Sequence, residues 1–458
     1  MTSTDVGMPG PRDPKTISSF RFLPALLRDP VQATDEVGRI SGGDIVRLGV
    51  VGPFRPYLVT RPDHVQHVLR DHADNYRREG LLWKPLSRLV GEPSGADPAW
   101  PLKKGAFQAL FSGPNIASFT DDVARAIVEA VDELAGRAVG RPVDAADEMT
   151  RLVYRAITRV IVGDKITLDQ ADELGRVLAA ATTSSFRSRM LLPFMPFWVP
   201  LPGDRAFQRA VQAVDDLIFP IVRDSRRRGA DGGDIVSRLI RARDENGQGL
   251  DEQNIRDGVV AIFVAATETS VSILTFLWMV LHSRPDIAAK LYAEVDRVVG
   301  TDHPTRAHLP ELSYAKMVAQ EVLRLYSPGW IIPRTVVADD VIDGVRIRKG
   351  SIVVISPYLT HRLDDVWPDP RVFDPERFAP GRSRHRFAFL TFGGGPHQCV
   401  GSFFFTIEAQ LIIAALLSRF EPVIHGSPSM EPRLGLTLKP SERIRFLLRP
   451  RDRVASNA

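Results

Sequence analysis

Phe392-Gly393-Gly394-Gly395-Pro396-His397-Gln398-Cys399-Val400-Gly401 stands directly before an apolar run, Ser402 to Leu417, that reads as a helix. Cys399 is the one cysteine among 458 residues, so neither an intramolecular disulfide nor a structural zinc site of four cysteines can form. A lone cysteine by itself is a small hydrophobe. Here three consecutive glycines let the backbone approach something flat or large. Cys399 lies at the start of the following helix, where unpaired N–H groups and the positive dipole end stabilise a thiolate. Gly401 removes a side chain where that helix would meet a bound group. The loop lacks the Lys-Ser/Thr ending of a phosphate-binding loop and the glycine spacing of a dinucleotide site. A thiolate under a glycine-rich loop, with a potential cation at His397 two residues earlier, suits axial ligation of haem iron.

The rest of the chain has the composition of a folded globular protein. Apolar residues make up 44% and charged residues 25%, which excludes a mostly disordered, collagen-like or disulfide-scaffold chain. A net charge of +4 does not mark a nucleic-acid binder. Met1 to Thr16 is polar and has no apolar signal-peptide core. Gly258 to Leu281 is long and apolar enough to span a bilayer. Yet Glu268 sits in its middle, and a charge there costs roughly 3 kcal/mol or more. The segment therefore reads as a helix buried at the centre of a large soluble protein, with Glu268, Thr267, Thr269 and Ser270 inside the core.

Outward from these two segments, short strands are expected at Asp44–Val50 and Pro56–Thr60, split by the turn signal Gly52-Pro53. Helical periodicity marks Ile116–Ala138, Glu148–Ile161, Leu168–Ala181, Arg205–Arg227 and Tyr314–Tyr326. Met190 to Pro202 holds four prolines, which forbid a regular helix, so it reads as a buried loop or an apolar lid. Val341 to Ile347 reads as strand, Asp-Gly turn, strand, and Ser351–Ile355 continues the β character. Leu434–Leu438 with Arg443–Leu448 reads as a last hairpin. No repeat or low-complexity linker interrupts the chain, so one mainly helical unit with a small β portion is expected. His64 and His67, three apart, lack a third ligand nearby in sequence and read as surface histidines.

The cysteine loop fits FxxGxHxCxG at every fixed position and so resembles the cytochrome P450 family. Glu321 and Arg324 form an ExxR pair, and Phe373-Asp374-Pro375-Glu376-Arg377-Phe378 carries the PERF element. Ala265-Ala266-Thr267-Glu268-Thr269-Ser270 resembles the family's oxygen-activation motif, with Ala266 in place of the usual Gly and Ser270 where Thr is common. Order and spacing of the elements agree with the family over nearly the whole chain.

The resemblance implies a mainly α cytochrome P450 triangular-prism fold enclosing haem b. It divides the chain into a loose N-terminal tail, 1–17, and a single haem domain, 18–458. Cys399 would ligate the iron. Phe392, Gly393 and Gly401 would line the haem, and Trp100, Lys104, Arg334 and His397 would serve its propionates, Lys104 replacing the usual Arg. Glu268 and Thr269 would relay protons to bound O2. Glu321, Arg324 and Arg377 would be structural. Phe194, Val264, Ala265, Trp330, Ile331, Ile332 and Leu436 would face a lipophilic substrate, with Leu434 also near. The implied reaction is monooxygenation, hydroxylation or epoxidation, in bacterial secondary metabolism. Electrons would come from NAD(P)H through a ferredoxin reductase and a ferredoxin, and Gly381 to Arg386 (GRSRHR) would help dock that acidic donor. A cytoplasmic monomer without membrane anchor or nucleic-acid partner is implied. Oxidative coupling, desaturation or rearrangement on the same fold is the alternative, and a non-catalytic haem-binding protein a more distant one.

Overall fold

The computed structural model describes residues 12–18, 24–25, 28–49, 56–79, 87, 89–91, 98–184, 195, 198–435 and 437–451. The helices in chain order are α1 (Pro30–Ser41), α2 (Pro62–Gln66), α3 (Trp100–Leu110), α4 (Gly113–Ala138), α5 (Ala145–Ile161), α6 (Leu168–Ser184) and α7 (Asp204–Arg227). They continue with α8 (Ile235–Arg241), α9 (Glu252–Ser283), α10 (Pro285–Val298), α11 (Ser313–Leu325), α12 (Pro357–Thr360) and α13 (Ser402–Leu417). The strands are β1 (Lys15–Ile17), β2 (Val46–Leu48), β3 (Tyr57–Val59), β4 (Tyr76–Arg77), β5 (Val143–Asp144), β6 (Ile332–Val336) and β7 (Asp340–Ile342). They end with β8 (Val345–Ile347), β9 (Ile352–Ile355), β10 (Phe420–Ile424), β11 (Pro432–Arg433), β12 (Lys439–Pro440) and β13 (Arg445–Pro450). The chain divides into two compact units.

The first unit comprises Met1–Gly80, Gly329–Val372 and Ser383–Gln398. Its sheet runs β1-β2-β3-β9-β6-β4, with β7 and β8 as a separate hairpin. Val46 pairs with Leu58 and Arg47 with Tyr57, the antiparallel register expected for the first hairpin. β1 pairs in parallel with β2, and Arg12 bridges to Val345, so the end of the expected loose tail is ordered structure. The β7–β8 turn is Asp343-Gly344 with φ of 47° and 73°, the left-handed pair that a two-residue hairpin requires. Alternate strand residues bury Tyr57, Val59, Val336, Val353 and Ile355 against Val68 and Leu390. Each such side chain contributes roughly 1.5–3 kcal/mol by leaving water.

The second unit comprises Leu81–Pro328, Phe373–Arg382 and Cys399–Ala458. Its helices start where the sequence supplies caps. Asp144 accepts from the Ala146 and Asp147 N–H groups before α5, and Asp251 accepts from Asn254 N–H before α9. α9 packs on α5, α7 and α11. It is long and apolar enough to cross a membrane by length and composition, but most of its apolar window is buried in this unit, so it is a core helix. Trp278 donates from Nε1 to Met149 Sδ at 3.1 Å, which satisfies the one polar atom of a fully buried ring. The start of α9 is tied by Arg256, whose guanidinium donates to Asp215 and to the Leu89 carbonyl, both at 2.6 Å.

α13 is buried nearly all round, as a helix without a polar face must be. The last expected hairpin is corrected: β13 pairs with β10 and β5, and β11 pairs with β12. The ladder partners of Arg443–Leu448 lie far away in sequence, so local alternation could not identify them.

Candidate active site

The centre of α9 divides its chemistry between two faces. Ala265 and Thr269 are one turn apart on one face; Val264 and Glu268 are one turn apart on the other. Thr269 Oγ1 donates to the Ala265 carbonyl at 2.7 Å, so its hydroxyl is back-bonded to the preceding turn. Glu268 does not meet that hydroxyl. Its carboxylate lies 2.9 Å from Lys439 Nζ and accepts from Thr437 Oγ1 at 3.4 Å. Glu268 and Val264 line a cavity of about 480 Å³ with Tyr154, Thr267, Lys439 and Arg443. The charged side chains on this wall make it a place for water. Burial, with Asp144 nearby, pushes the Asp147 carboxyl on the same wall up. Val264, expected beside the substrate with Ala265, thus shares the Glu268 cavity, while Ala265, about 100° round the helix, is exposed.

The next residue of α9 meets α13. Ser270 Oγ donates to Glu408 Oε2 at 2.8 Å, and Glu408 Oε1 has no hydrogen-bond partner. Burial pushes the Glu408 carboxyl up to about 8, partly offset by the Ser270 bond. Sequence reading missed this acid, although it is the one charge in Ser402–Leu417 (SFFFTIEAQLIIAALL) and was visible as such. Lys439 was missed for another reason: it lies 171 residues from Glu268, and nothing local marks it.

Cys399 forms no disulfide and is exposed, three residues before α13. A Cβ built on Gly401 would stand 3.8 Å from its Sγ, an ordinary contact. Trp100 begins α3 with Pro101 in its first turn, and Lys104 is half-buried one turn on. The neighbouring Lys103 is buried and donates to Asn254 Oδ1 at 3.2 Å.

Glu321 and Arg324 on α11 form a bidentate pair with both hydrogen bonds at 2.7 Å and both side chains fully buried. Asp374 N–H donates to Glu321 Oε1 at 2.9 Å, and Arg377 Nε lies 3.4 Å from the same oxygen. Removing one partner of such a buried pair costs about 3–5 kcal/mol, because the other charge is left uncompensated.

In the first unit, Gly393 and Gly395 have φ of 65° and 68°. A Cβ on Gly395 would fall 1.7 Å from the Leu69 carbonyl oxygen, so no side chain fits there. His397 closes the short 3-10 turn Gly395–His397, and Phe392 is half-buried. Trp330, Ile331 and Ile332 are half-buried where the chain enters β6, and the Trp330 carbonyl accepts from Ser356 Oγ at 3.0 Å. Phe194 and Leu436 lie outside the described residues, as does most of the expected lid; Met195 and Trp198 within it are exposed.

Arg334 tests whether these residues suit a haem. It is 5% exposed, its guanidinium donates to the Pro333 carbonyl, and among the described residues no carboxylate pairs with it. Burial, with Arg78 as a second cation nearby, lowers it to about 10. A buried arginine beside another cation is costly unless an anion arrives. A propionate is such an anion, so the residue fits the group.

A mainly helical fold with a lone thiol ahead of an apolar helix and a buried cation short of an anion defines a haem-binding class. The family model for Cytochrome P450 matches residues 35–447, and the chain belongs to the cytochrome P450 family. It is similar to cyclooctat-9-en-7-ol 5-monooxygenase of Streptomyces melanosporofaciens, with 31% identity over 89% of this chain and 88% of that one. Cyclooctatin synthase of the same organism is also 31% identical, over 89% of each chain. Pentalenene oxygenase of Streptomyces avermitilis is 27% identical over 93% and 94%. The crystal structure of the cytochrome P450DA heme domain superposes with a TM-score of 0.86 at 24% identity, over 97% of this chain and 98% of that one, and so shares the fold. The chain is a cytochrome P450 monooxygenase, and haem and iron come with that family.

Proposed function

We propose that this monooxygenase inserts one atom of O2 into a terpenoid, by hydroxylation or epoxidation, as part of bacterial secondary metabolism. The observation that carries the chemistry is Cys399: the one thiol of the chain, exposed, three residues before an apolar helix with Gly401 between. The substrate class rests on the relatives, which include monooxygenases of bacterial terpene metabolism.

When bound, haem supplies reductive activation of dioxygen, and thiolate ligation pushes electron density that favours O–O cleavage. The chain's residues hold and feed that group. Cys399 Sγ would hold the iron, Arg334, Lys104, Trp100 and His397 would take the propionates, and Phe392 and Gly393 would border the ring. Glu268 faces the charged cavity of the second unit, where its carboxylate can collect a proton from water while Lys439 restrains it. Thr269 Oγ1 must leave the Ala265 carbonyl to pass a proton on the other face of α9. Because the two side chains point about 100° apart on the helix, the transfer goes through a water or a rotation of Glu268.

Electrons come from NAD(P)H through a ferredoxin reductase and a ferredoxin. Arg382 and Arg386 are exposed and available to an acidic donor, whereas Arg384 lies over the Trp367 ring at 5.3 Å.

The test is turnover of a panel of cyclic sesquiterpene and diterpene hydrocarbons and alcohols with ferredoxin, reductase and NADPH under 18O2. Product carrying one 18O atom, absent with Cys399→Ala, is expected. Product without 18O, or none from protein that gives the haem-thiolate carbon monoxide spectrum, overturns the terpenoid monooxygenase reading.

A further inference from the structure

The histidine dismissed in the sequence for want of a third ligand acquires two. His67–Asp71 is a π-helical turn in which the His72 N–H donates to the His67 carbonyl at 2.9 Å. In an α-helix, residues five apart diverge by about 140°. The wider π turn brings them into line, and the His67 and His72 rings stack with centroids 4.0 Å apart and planes 19° apart. Such turns cluster at functional positions. β7 of the same unit then delivers Asp340, whose Oδ2 lies 2.8 Å from His67 Nε2. One ligand atom from each of His67, His72 and Asp340 falls within 4.8 Å of the others.

From this geometry we propose a divalent transition-metal site, of the zinc class, formed by His67, His72 and Asp340 with a water completing the tetrahedron. Two imidazoles and a carboxylate are a zinc donor set, and ligand atoms around zinc stand about 3.3 Å apart. One pair stands at 2.8 Å and all lie within 4.8 Å, and the two rings must tilt out of their stacked arrangement to turn their nitrogens onto one ion. The supporting shell is also present. Tyr76 Oη donates to Asp340 Oδ2 at 2.7 Å, and the Val341 N–H donates to Oδ1 at 2.7 Å. Carboxylates that bind metals are oriented by such partners. His72 is exposed, which gives an ion its way in.

The position has a structural consequence. An ion there clamps the β7–β8 hairpin to the His67–Asp71 turn, and the Leu69 carbonyl of that turn is the group against which Gly395 packs. The metal therefore braces the glycine loop from within its own unit.

The test is calorimetric titration of tag-free, chelator-treated holoenzyme with ZnCl2. One Zn2+ per chain is expected for the native protein and for a His303→Ala control in the second unit. In His72→Ala and Asp340→Asn the Kd rises about tenfold or more, while their reduced carbon monoxide spectra stay native. Zn2+ also raises the Tm of the native holoenzyme and not that of His72→Ala. No binding by the native chain, or binding unchanged in His72→Ala, overturns the site.

Discussion

Glu408 sets a pH dependence that a wholly apolar α13 would not have. Its carboxyl, pushed up to about 8 by burial, stands well above the roughly 4.3 of an unfolded chain. Its stabilising contribution is fully present below the unfolded value and is lost as pH rises through about 8. Glu408→Gln removes that loss, so its Tm relative to the native protein rises between pH 5 and pH 8; parallel Tm curves would contradict the assignment. Thr269 makes a second prediction at this scale. With the hydroxyl gone, proton delivery on its face of α9 fails, and Thr269→Ala should consume NAD(P)H with far less product per electron pair. Well-coupled, full-rate turnover would argue against the relay. Sequence resemblance gave the pair but not its geometry. Glu268 and Thr269 are adjacent in the chain and therefore on different faces, and the partner that holds Glu268, Lys439, comes from a distant strand.

Elements were legible where their stabilisation is local. α4, α5, α7 and α11 begin within three residues of the expected positions, because amphipathic spacing lies inside each segment, with Asp or Pro start signals at α4, α5 and α7. The Asp343-Gly344 hairpin was legible for the same reason. The final hairpin was not, since β13 finds its partners in β10 and β5 through long-range pairing. The histidine pair was hidden as well: His67 and His72 converge only because the helix widens to a π turn, which periodicity does not foresee. The glycine loop carries the prediction here. With φ at 68° and a backbone oxygen 1.7 Å from where a Cβ would stand, Gly395→Ala must displace the Leu69 segment or the loop itself. Purified Gly395→Ala should hold markedly less haem than the native protein, read as Soret absorbance per chain; full haem content would show that the contact yields.

At the scale of the molecule, charge distribution bears on the electron donor. The net charge of +4 is too small to select a partner, so the proposed docking of an acidic donor rests on exposed local cations such as Arg382 and Arg386. Reversing both to Glu should slow ferredoxin-driven turnover, most at low salt, and leave peroxide-driven turnover unchanged. Equal loss in both assays would remove the docking role. The family itself was legible because its chemistry is concentrated in short segments: the cysteine loop, the ExxR pair and the centre of α9. The proposed terpenoid class was not legible, because the apolar residues expected to face a substrate are spread along the chain and interchangeable in composition. The central claim is that Cys399 holds haem iron as a thiolate. The reduced, carbon monoxide-treated protein should show a strongly red-shifted Soret band that Cys399→Ala abolishes; a band at the position of neutral axial ligation, or no haem band from folded protein made with haem available, would contradict it.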